Sequence, residues 1–157
     1  MKMPRILATA SSVLIVSVML AGCGGTSTPT TAPAAGGKTV GPDTYIPIIS
    51  KGFQHQFWQA VKLGSENAAK DFNVKTTFEG PETEAQVDKQ IEMLQAALNK
   101  KPAAICFSAL DSKAAIPLLQ QAKDAGIPVI GFDSGVDSDI PVTTAATDNI
   151  AAAGMAA

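Results

Sequence analysis

Histidine and cysteine are scarce in this chain of 157 residues, with one His and two Cys, and that scarcity closes off several kinds of chemistry. A metal centre needs His, Cys or carboxylate ligands at short spacing, and His55 has none beside it. Positive charge is also thin: 12 Lys and Arg stand against 14 Asp and Glu, with no basic cluster, which argues against a nucleic-acid partner. There is no G-x-S-x-G elbow, Walker A loop or G-x-G-x-x-G fingerprint, so no catalytic or nucleotide-binding pattern stands out and no cofactor is expected. No internal repeat is evident.

What is present begins with an export signal. Lys2 and Arg5 give a positive start, an uncharged apolar run extends from Ile6 to Ala21, and Leu20-Ala21-Gly22 leads into Cys23. A secretory signal has this layout. As a membrane span the run would lie at the lower limit of the roughly 17–25 residues required, and it is diluted by Thr9, Ser11, Ser12 and Ser17. The Leu-Ala-Gly-Cys ending resembles the lipobox of bacterial lipoproteins, which implies cleavage before Cys23 and acylation of its thiol. Removal of residues 1–22 takes away Lys2 and Arg5, leaving ten basic against fourteen acidic residues and a net charge of −4. Cys106 then has no disulfide partner, and inside the apolar run Ala103–Phe107 it reads as a small core residue. Residues 24–42 are almost entirely Gly, Ser, Thr, Pro and Ala, a composition that cannot fill a core. Cys23 and this flexible tether would thus join a membrane to a domain at 43–157.

That domain alternates short apolar runs with amphipathic ones. Tyr45–Ile49 reads as a strand. Phe57, Val61, Gly64, Ala68 and Phe72 mark one face of a first helix. Val74, Thr76 and Phe78 alternate as a second strand, and Thr83 with Gln86 forms a capping box ahead of a helix with the stripe Val87, Ile91, Leu94 and Leu98. Lys100, Lys101 and Pro102 close that helix, and Ala103–Phe107 has the continuous apolarity of a buried parallel strand. Asp111-Ser112 offers caps for a short turn before a helix from Pro117, with Gly126 as its C′ residue. Ile127–Phe132 and Val142–Ala146 read as strands, and Asn149–Ala157 enters a further helix. This rhythm specifies an α/β fold with a parallel sheet and right-handed crossovers.

In open parallel sheets ligands bind outside the carboxyl ends of the strands. Here those ends lead into Ser50–Trp58, Ser108–Ser112, Asp133-Ser134-Gly135 and Thr147-Asp148-Asn149, rich in hydroxyls, amides, carboxylates and two adjacent rings. Such a set suits a small polyhydroxylated ligand, whose C–H face lies on Phe57 or Trp58 and whose hydroxyls pair with Asp133, Ser108, Asn149 or Gln54. Plainer roles compete with these. Phe57 fits the helix stripe equally well, Asp111 fits a helix cap better than a ligand contact, and Asp148 or Asn149 caps the last helix. His55 has no nucleophile to serve and reads as a polar loop residue before a general base. Asp133 is the strongest ligand candidate, because a carboxylate ending a buried strand needs a partner.

The stretches YIPIISKGFQHQFWQAVKLGSENAAKDFNVKTTFEGPETEAQVDKQIEML, AICFSALDSKA, AGIPVIGFDSGVDS and ATDNIAAAG resemble the periplasmic sugar-binding proteins of ABC transporters, the ribose-binding-protein-like group. The likeness covers residues 44–157. It implies a three-layer lobe of the type I fold shared with LacI-type regulators, one of two lobes that close on a sugar about a hinge. Position by position, Phe57 and Trp58 correspond to the aromatic pair on the sugar, His55 to a position often Asn, Ser108 to a strand-end contact, Asp133 to the hydroxyl-gripping carboxylate and Thr147 to a contact near the hinge. Two positions depart: Ser134 stands where the family often has Arg, and Gln56 where it often has Pro. Family members are much longer, so a truncated N-terminal lobe with its second lobe missing is expected. The resemblance implies a substrate-binding lipoprotein on the outer face of the cell membrane, partnered by an ABC permease and its ATPase. A sensory protein presenting its ligand to a chemoreceptor or kinase is the alternative. A regulator would need an N-terminal helix-turn-helix, where residues 1–42 offer a signal and a neutral tether. An enzyme on a flavodoxin-like sheet is a further reading with little support.

Overall fold

The structure, a computed structural model, describes residues 40–157. The signal sequence, Cys23 and the tether up to residue 39 lie outside the described residues. The described chain opens on a turn in which Thr44 N–H donates to the Gly41 carbonyl at 2.8 Å and the Gly41 amide donates to Thr44 Oγ1 at 3.0 Å.

Five strands follow: β1 Tyr45–Ile49, β2 Lys75–Glu79, β3 Ile105–Phe107, β4 Val129–Phe132 and β5 Thr143–Ala145. They form one parallel sheet in the order β2-β1-β3-β4-β5. Helices α1 (Gln56–Asp71), α2 (Val87–Asn99) and α3 (Ile116–Asp124) make the crossovers, and α4 (Asn149–Ala156) follows β5. The α/β architecture expected from the alternating pattern is present, with β1 at the expected bounds and β3, β4 and β5 each shorter than the apolar run that predicted it. Strand alternation divides the sheet's side chains between two faces. On one face Ile49, Ile105, Phe107 and Val129 pack under Leu94 and Ala97 of α2 and Leu118, Leu119 and Ala122 of α3, forming the main core. Trp58 of α1 meets Phe132, whose place in β4 points it to the opposite face. Cys106 shares that opposite face by register with Ile48 and Ile130, and partial burial raises its thiol pKa, which keeps it protonated.

The first three helices stop in the same way. Asn73, Lys101 and Gly126 each follow a helix with a positive φ of 50°, 51° and 69°, and their amides donate back to the carbonyls of Lys70, Leu98 and Lys123. Gly126 thus fills the C′ role expected of it. Asp111 serves as a local cap, its carboxylate accepting from the amides of Lys113 and Ala114 at 2.9 and 2.8 Å, which holds its pKa below the ordinary range. The turn it forms leads into α3, with Pro117 in the first helical turn where its missing N–H leaves no bond unmade.

Two expectations are corrected. The inner face of α1 is Trp58, Val61, Ser65 and Ala69, while Phe57, Gly64, Ala68 and Phe72 are exposed. Both stripes have the same period, so spacing cannot choose between them. The choice falls to Trp58, whose large ring gains most from burial and whose indole N–H finds Glu84 as acceptor. The capping box before α2 is also only half formed. Thr83 N–H donates to Gln86 Oε1 at 3.1 Å, but the helix starts one turn later, at Val87.

Leu119 has no exposure, so Leu119→Ala is expected to lower stability by about 2–5 kcal/mol. Phe72 is 70% exposed, so Phe72→Ser should change it by no more than about 0.5 kcal/mol. Urea unfolding of both variants checks the ranking, and the reverse order would return Phe72 to the core.

Candidate ligand site at the carboxyl edge of the sheet

The order β2-β1-β3 places the switch of chain direction between β1 and β3, and their ends open the crevice where α/β sheets bind ligands. After β1 the chain is pinned hard. Ser50 is fully buried, its amide and hydroxyl both donate to the Glu79 carbonyl at 2.8 and 3.1 Å, and the hydroxyl also reaches the Gly52 carbonyl. Gly80 lies against this turn so closely that a Cβ there would stand 2.8 Å from the Gly52 oxygen, so only glycine fits. The pinned turn sends Lys51 across the edge of the sheet. Its ammonium lies 2.9 Å from Asp133 Oδ2, donates to Ser134 Oγ at 2.8 Å, and stands 5.7 Å from the centre of the Trp58 ring.

Asp133 holds the left-handed backbone conformation, φ 57°, with its amide donating to the Ala145 carbonyl at 2.9 Å. Asp tolerates this region better than most residues, and such conformations gather at binding sites. Its Oδ2 also accepts from Ser134 Oγ at 3.1 Å and, at the long limit of 3.5 Å, from the buried Ser108 hydroxyl. Trp58 is 3% exposed, donates to Glu84 Oε1 at 3.0 Å, and meets Phe57 and Phe132 edge-on at 4.7 and 6.4 Å. Phe57 is the open ring of the pair, at 46% exposure.

Of the residues singled out in the sequence, Trp58, Ser108, Asp133 and Ser134 therefore meet in one cluster around Lys51, with Phe57 at its rim. His55 is the N-cap of α1, its Nδ1 accepting from the Phe57 amide at 3.2 Å. Asp148 caps α4 through the Ala151 amide at 2.9 Å, which leaves Asn149 as the first helical residue. Thr147 and Asn149 are exposed and make no hydrogen bond to the cluster. A concavity of about 760 Å³ lies at the amino ends of the strands, lined by Pro42, Thr44, Ile46, Ala103 and Pro128 among others. Its lining is mostly apolar, with Asp43 and Thr44 as the polar side chains.

The sequence pattern of the periplasmic binding protein domain matches residues 46–157. The chain belongs to the periplasmic binding protein family. Among solved structures it is similar to a protein of Brachyspira murdochii described as "ABC transporter, LacI family transcriptional regulator", with 43% identity and a TM-score of 0.69 over 73% of this chain and 37% of that one. A carbohydrate transporter solute-binding protein of Agrobacterium radiobacter, in complex with D-arabinose, is 37% identical with a TM-score of 0.68 over 73% of this chain and 38% of its own. An ABC transporter solute-binding protein of Agrobacterium vitis with bound D-fucose is 34% identical with a TM-score of 0.67 over 71% and 40%. The chain thus spans about two fifths of the length of the solved proteins it matches, and it has the α/β form of one lobe of a type I periplasmic binding protein.

Two residues that shape this periplasmic binding lobe were not singled out in the sequence. Lys51 is the first charge after β1 and gives no sign in one dimension that it reaches β4. Gln90 did carry a signal, because it sits three residues after Val87 and four before Leu94, a polar residue on the apolar stripe of α2. It is 1% exposed, donates to the carbonyls of Ser50 and Ser108 at 2.9 and 2.8 Å, and accepts from the Leu110 amide at 3.0 Å. Gln90→Leu would leave all three backbone groups unpaired and is expected to cost about 1–3 kcal/mol. Urea unfolding measures that loss. Faster hydrogen exchange at the Leu110 amide is its local signature, and unchanged exchange there would count against the clamp.

Proposed function

We propose that the protein is the ligand-gripping lobe of an exported solute-binding protein that serves an ABC transporter. It captures a small polyhydroxylated ligand, a monosaccharide by class, for a membrane permease driven by its ATPase. The observation that carries this reading is the meeting of Lys51, Ser108, Asp133 and Ser134 beside the Phe57–Trp58 pair at the strand ends. These groups supply donors, acceptors and an exposed ring face. Relatives at 37% and 34% identity were solved with D-arabinose and D-fucose, which supports a sugar as the ligand class. His55, Thr147 and Asn149 are proposed to contribute from the rim.

The opposite wall of the site would come from a second lobe, in keeping with the share of its relatives' length that this chain covers. Export by the leader at residues 1–22 and lipid attachment at Cys23 would keep the protein at the outer face of the membrane, near its permease. Residues 24–42 would be the leash.

Trp58 is the one tryptophan in the chain, so its emission reports on the site alone. Titration of residues 24–157 with a panel of pentoses and hexoses is expected to give weak, saturable changes in the millimolar range, about the level 4 kcal/mol provides. Asp133→Ala should weaken the response by at least about ten-fold, the size expected for loss of charge-assisted hydrogen bonds. Tight binding by this segment alone would refute the one-lobe reading, and binding indifferent to Asp133→Ala would move the site elsewhere. In cells, Cys23→Ser is expected to move the protein from the membrane to the soluble exported fraction. Unchanged retention on fractionation would remove the lipid anchor from the scheme.

A further inference from the structure

A sheet has two edges, and each carries backbone groups that wait for a partner unless something covers them. Here β2 stands at one end of the strand order and β5 at the other. The Lys75 amide donates to the Thr44 carbonyl and the Glu79 carbonyl accepts from the Ser50 amide, both at 2.8 Å. Backbone groups alternate between the two sides of a strand, so Lys75, Thr77 and Glu79 turn theirs toward β1. Thr76 and Phe78 turn theirs outward, and no described strand lies beyond them. The opposite edge offers less: β5 is three residues, Thr-Thr-Ala, with no charge to set a register.

The β2 edge reads Lys75-Thr76-Thr77-Phe78-Glu79, with opposite charges at its two ends. Turned end for end, it is its own electrostatic complement. We propose that the outer edge of β2 docks a second copy of this chain, the two strands pairing antiparallel about a twofold axis through Thr77. In this register Thr76 and Phe78 of one copy exchange amide and carbonyl bonds with Phe78 and Thr76 of the other. Lys75 lies directly opposite Glu79 of the second copy, in the non-hydrogen-bonded type of pair where side chains stand closest. Each charge already has a partner in its own chain: Asp43 is 3.0 Å from Lys75, and Lys100 is 3.9 Å from Glu79. Pairing thus joins Asp43, Lys75, Glu79 and Lys100 into an alternating row, and a network contributes where one exposed pair does not. Parallel pairing in register would set Lys75 against Lys75, so the charges also choose the direction.

The surroundings of the edge fit this use. Thr77 Oγ1 is held by the Tyr45 hydroxyl at 2.8 Å, which fixes the residue on the axis. On the helices packed beside β2 and β1, Lys62 pairs with Glu66 and Lys89 with Glu92, so charge is carried there in pairs of mixed sign. At the carboxyl end of β2, Phe53, Phe78 and Met93 line part of a concavity of about 220 Å³. The antiparallel register brings to it the segment leading into the second copy's β2, where Phe72 is 70% exposed. The pairing closes on itself, because each copy spends the same edge. It leaves the Lys51–Asp133 cluster free, since that cluster lies at the ends of β1, β3 and β4.

Sedimentation of residues 24–157 over a wide range of concentration tests the pairing. A reversible monomer–dimer equilibrium is expected near about 100 μM, the weak range of a small interface. Thr76→Pro removes an outward amide that β1 does not use, so it should abolish the dimer and leave the unfolding midpoint nearly unchanged. Lys75→Glu and Glu79→Lys each set like charges across the axis and should weaken the dimer by about ten-fold or more. The two substitutions in one chain return opposite charges to each pair and should recover most of that loss. Hydrogen exchange supplies the local signature: the Thr76 and Phe78 amides should slow as concentration rises, while the Thr77 amide stays slow throughout. A chain that remains monomeric at every concentration overturns the proposal. A dimer indifferent to Thr76→Pro overturns it by placing the contact on another surface, and one that the double variant fails to recover overturns the register.

Discussion

Beyond Ile49 and Phe107 the first and third strands part, because one chain must turn toward α1 and the other toward α3. The last ladder bond across them is the Ser108 amide on the Ile49 carbonyl, at 2.9 Å. Past that point the carbonyls of Ser50 and Ser108 and the amide of Leu110 face a dry interior without strand partners. Gln90 fills the gap with one side-chain amide that acts as a detached peptide group, donating twice and accepting once. A buried polar side chain is tolerated only when its hydrogen bonds are complete, and here they are. The site depends on this closure. Ser108 and the turn carrying Lys51 hold their places because the backbone behind them is tied to α2.

On that fixed backbone the residues of the edge divide into buried supports and partly covered polar groups. Ser50, Gly80 and Gln90 are supports, buried and spent on the main chain. Lys51, Asp133 and Ser134 are only partly covered and bond chiefly to one another. Even a partly covered ion pair adds little to stability where water still reaches it, because the attraction is screened and ordering two side chains costs entropy. The Lys51–Asp133 couple joins the loop after β1 to the loop after β4 across the sheet edge.

The architecture was legible in the sequence because its signals were local and redundant. Apolar runs at β1, β3 and β4 and the glycine after α3 each had a single physical reading, the cap was the favoured reading of Asp111, and each was found where expected. The errors came where two solutions satisfied the same local rule. For α1, a stripe through Phe57 and Phe72 had the period of the one through Trp58 and Ala69, and only contact with Phe132 and Glu84 decides the phase. For the start of α2, Thr83 and Gln86 satisfied the capping pattern while the chain was held one turn longer beside Trp58. Among candidate site residues, Asp133 could be singled out because a carboxylate after a buried strand demands a partner. That partner, Lys51, could not be found, since pairing across 82 positions leaves no local trace.

Recognition by such an edge has a physical ceiling. A ring resting on Phe57 and hydrogen-bonded to Lys51, Asp133 and Ser134 would present its other face and remaining hydroxyls to water. Only the bonded hydroxyls would exchange water for protein, and each such exchange yields about 0.5–1.5 kcal/mol, somewhat more where a charge takes part. A few exchanges of that size barely offset the entropy lost on association. Enclosure by a second wall changes both terms. It removes the competing water, and it makes every unmatched hydroxyl costly, which converts weak contact into selectivity. A lobe of this kind is therefore best understood as a pre-set half of a cleft. The clamp behind it fixes the positions of its donors and acceptors in advance, so that closure need order only the ligand and the opposing wall.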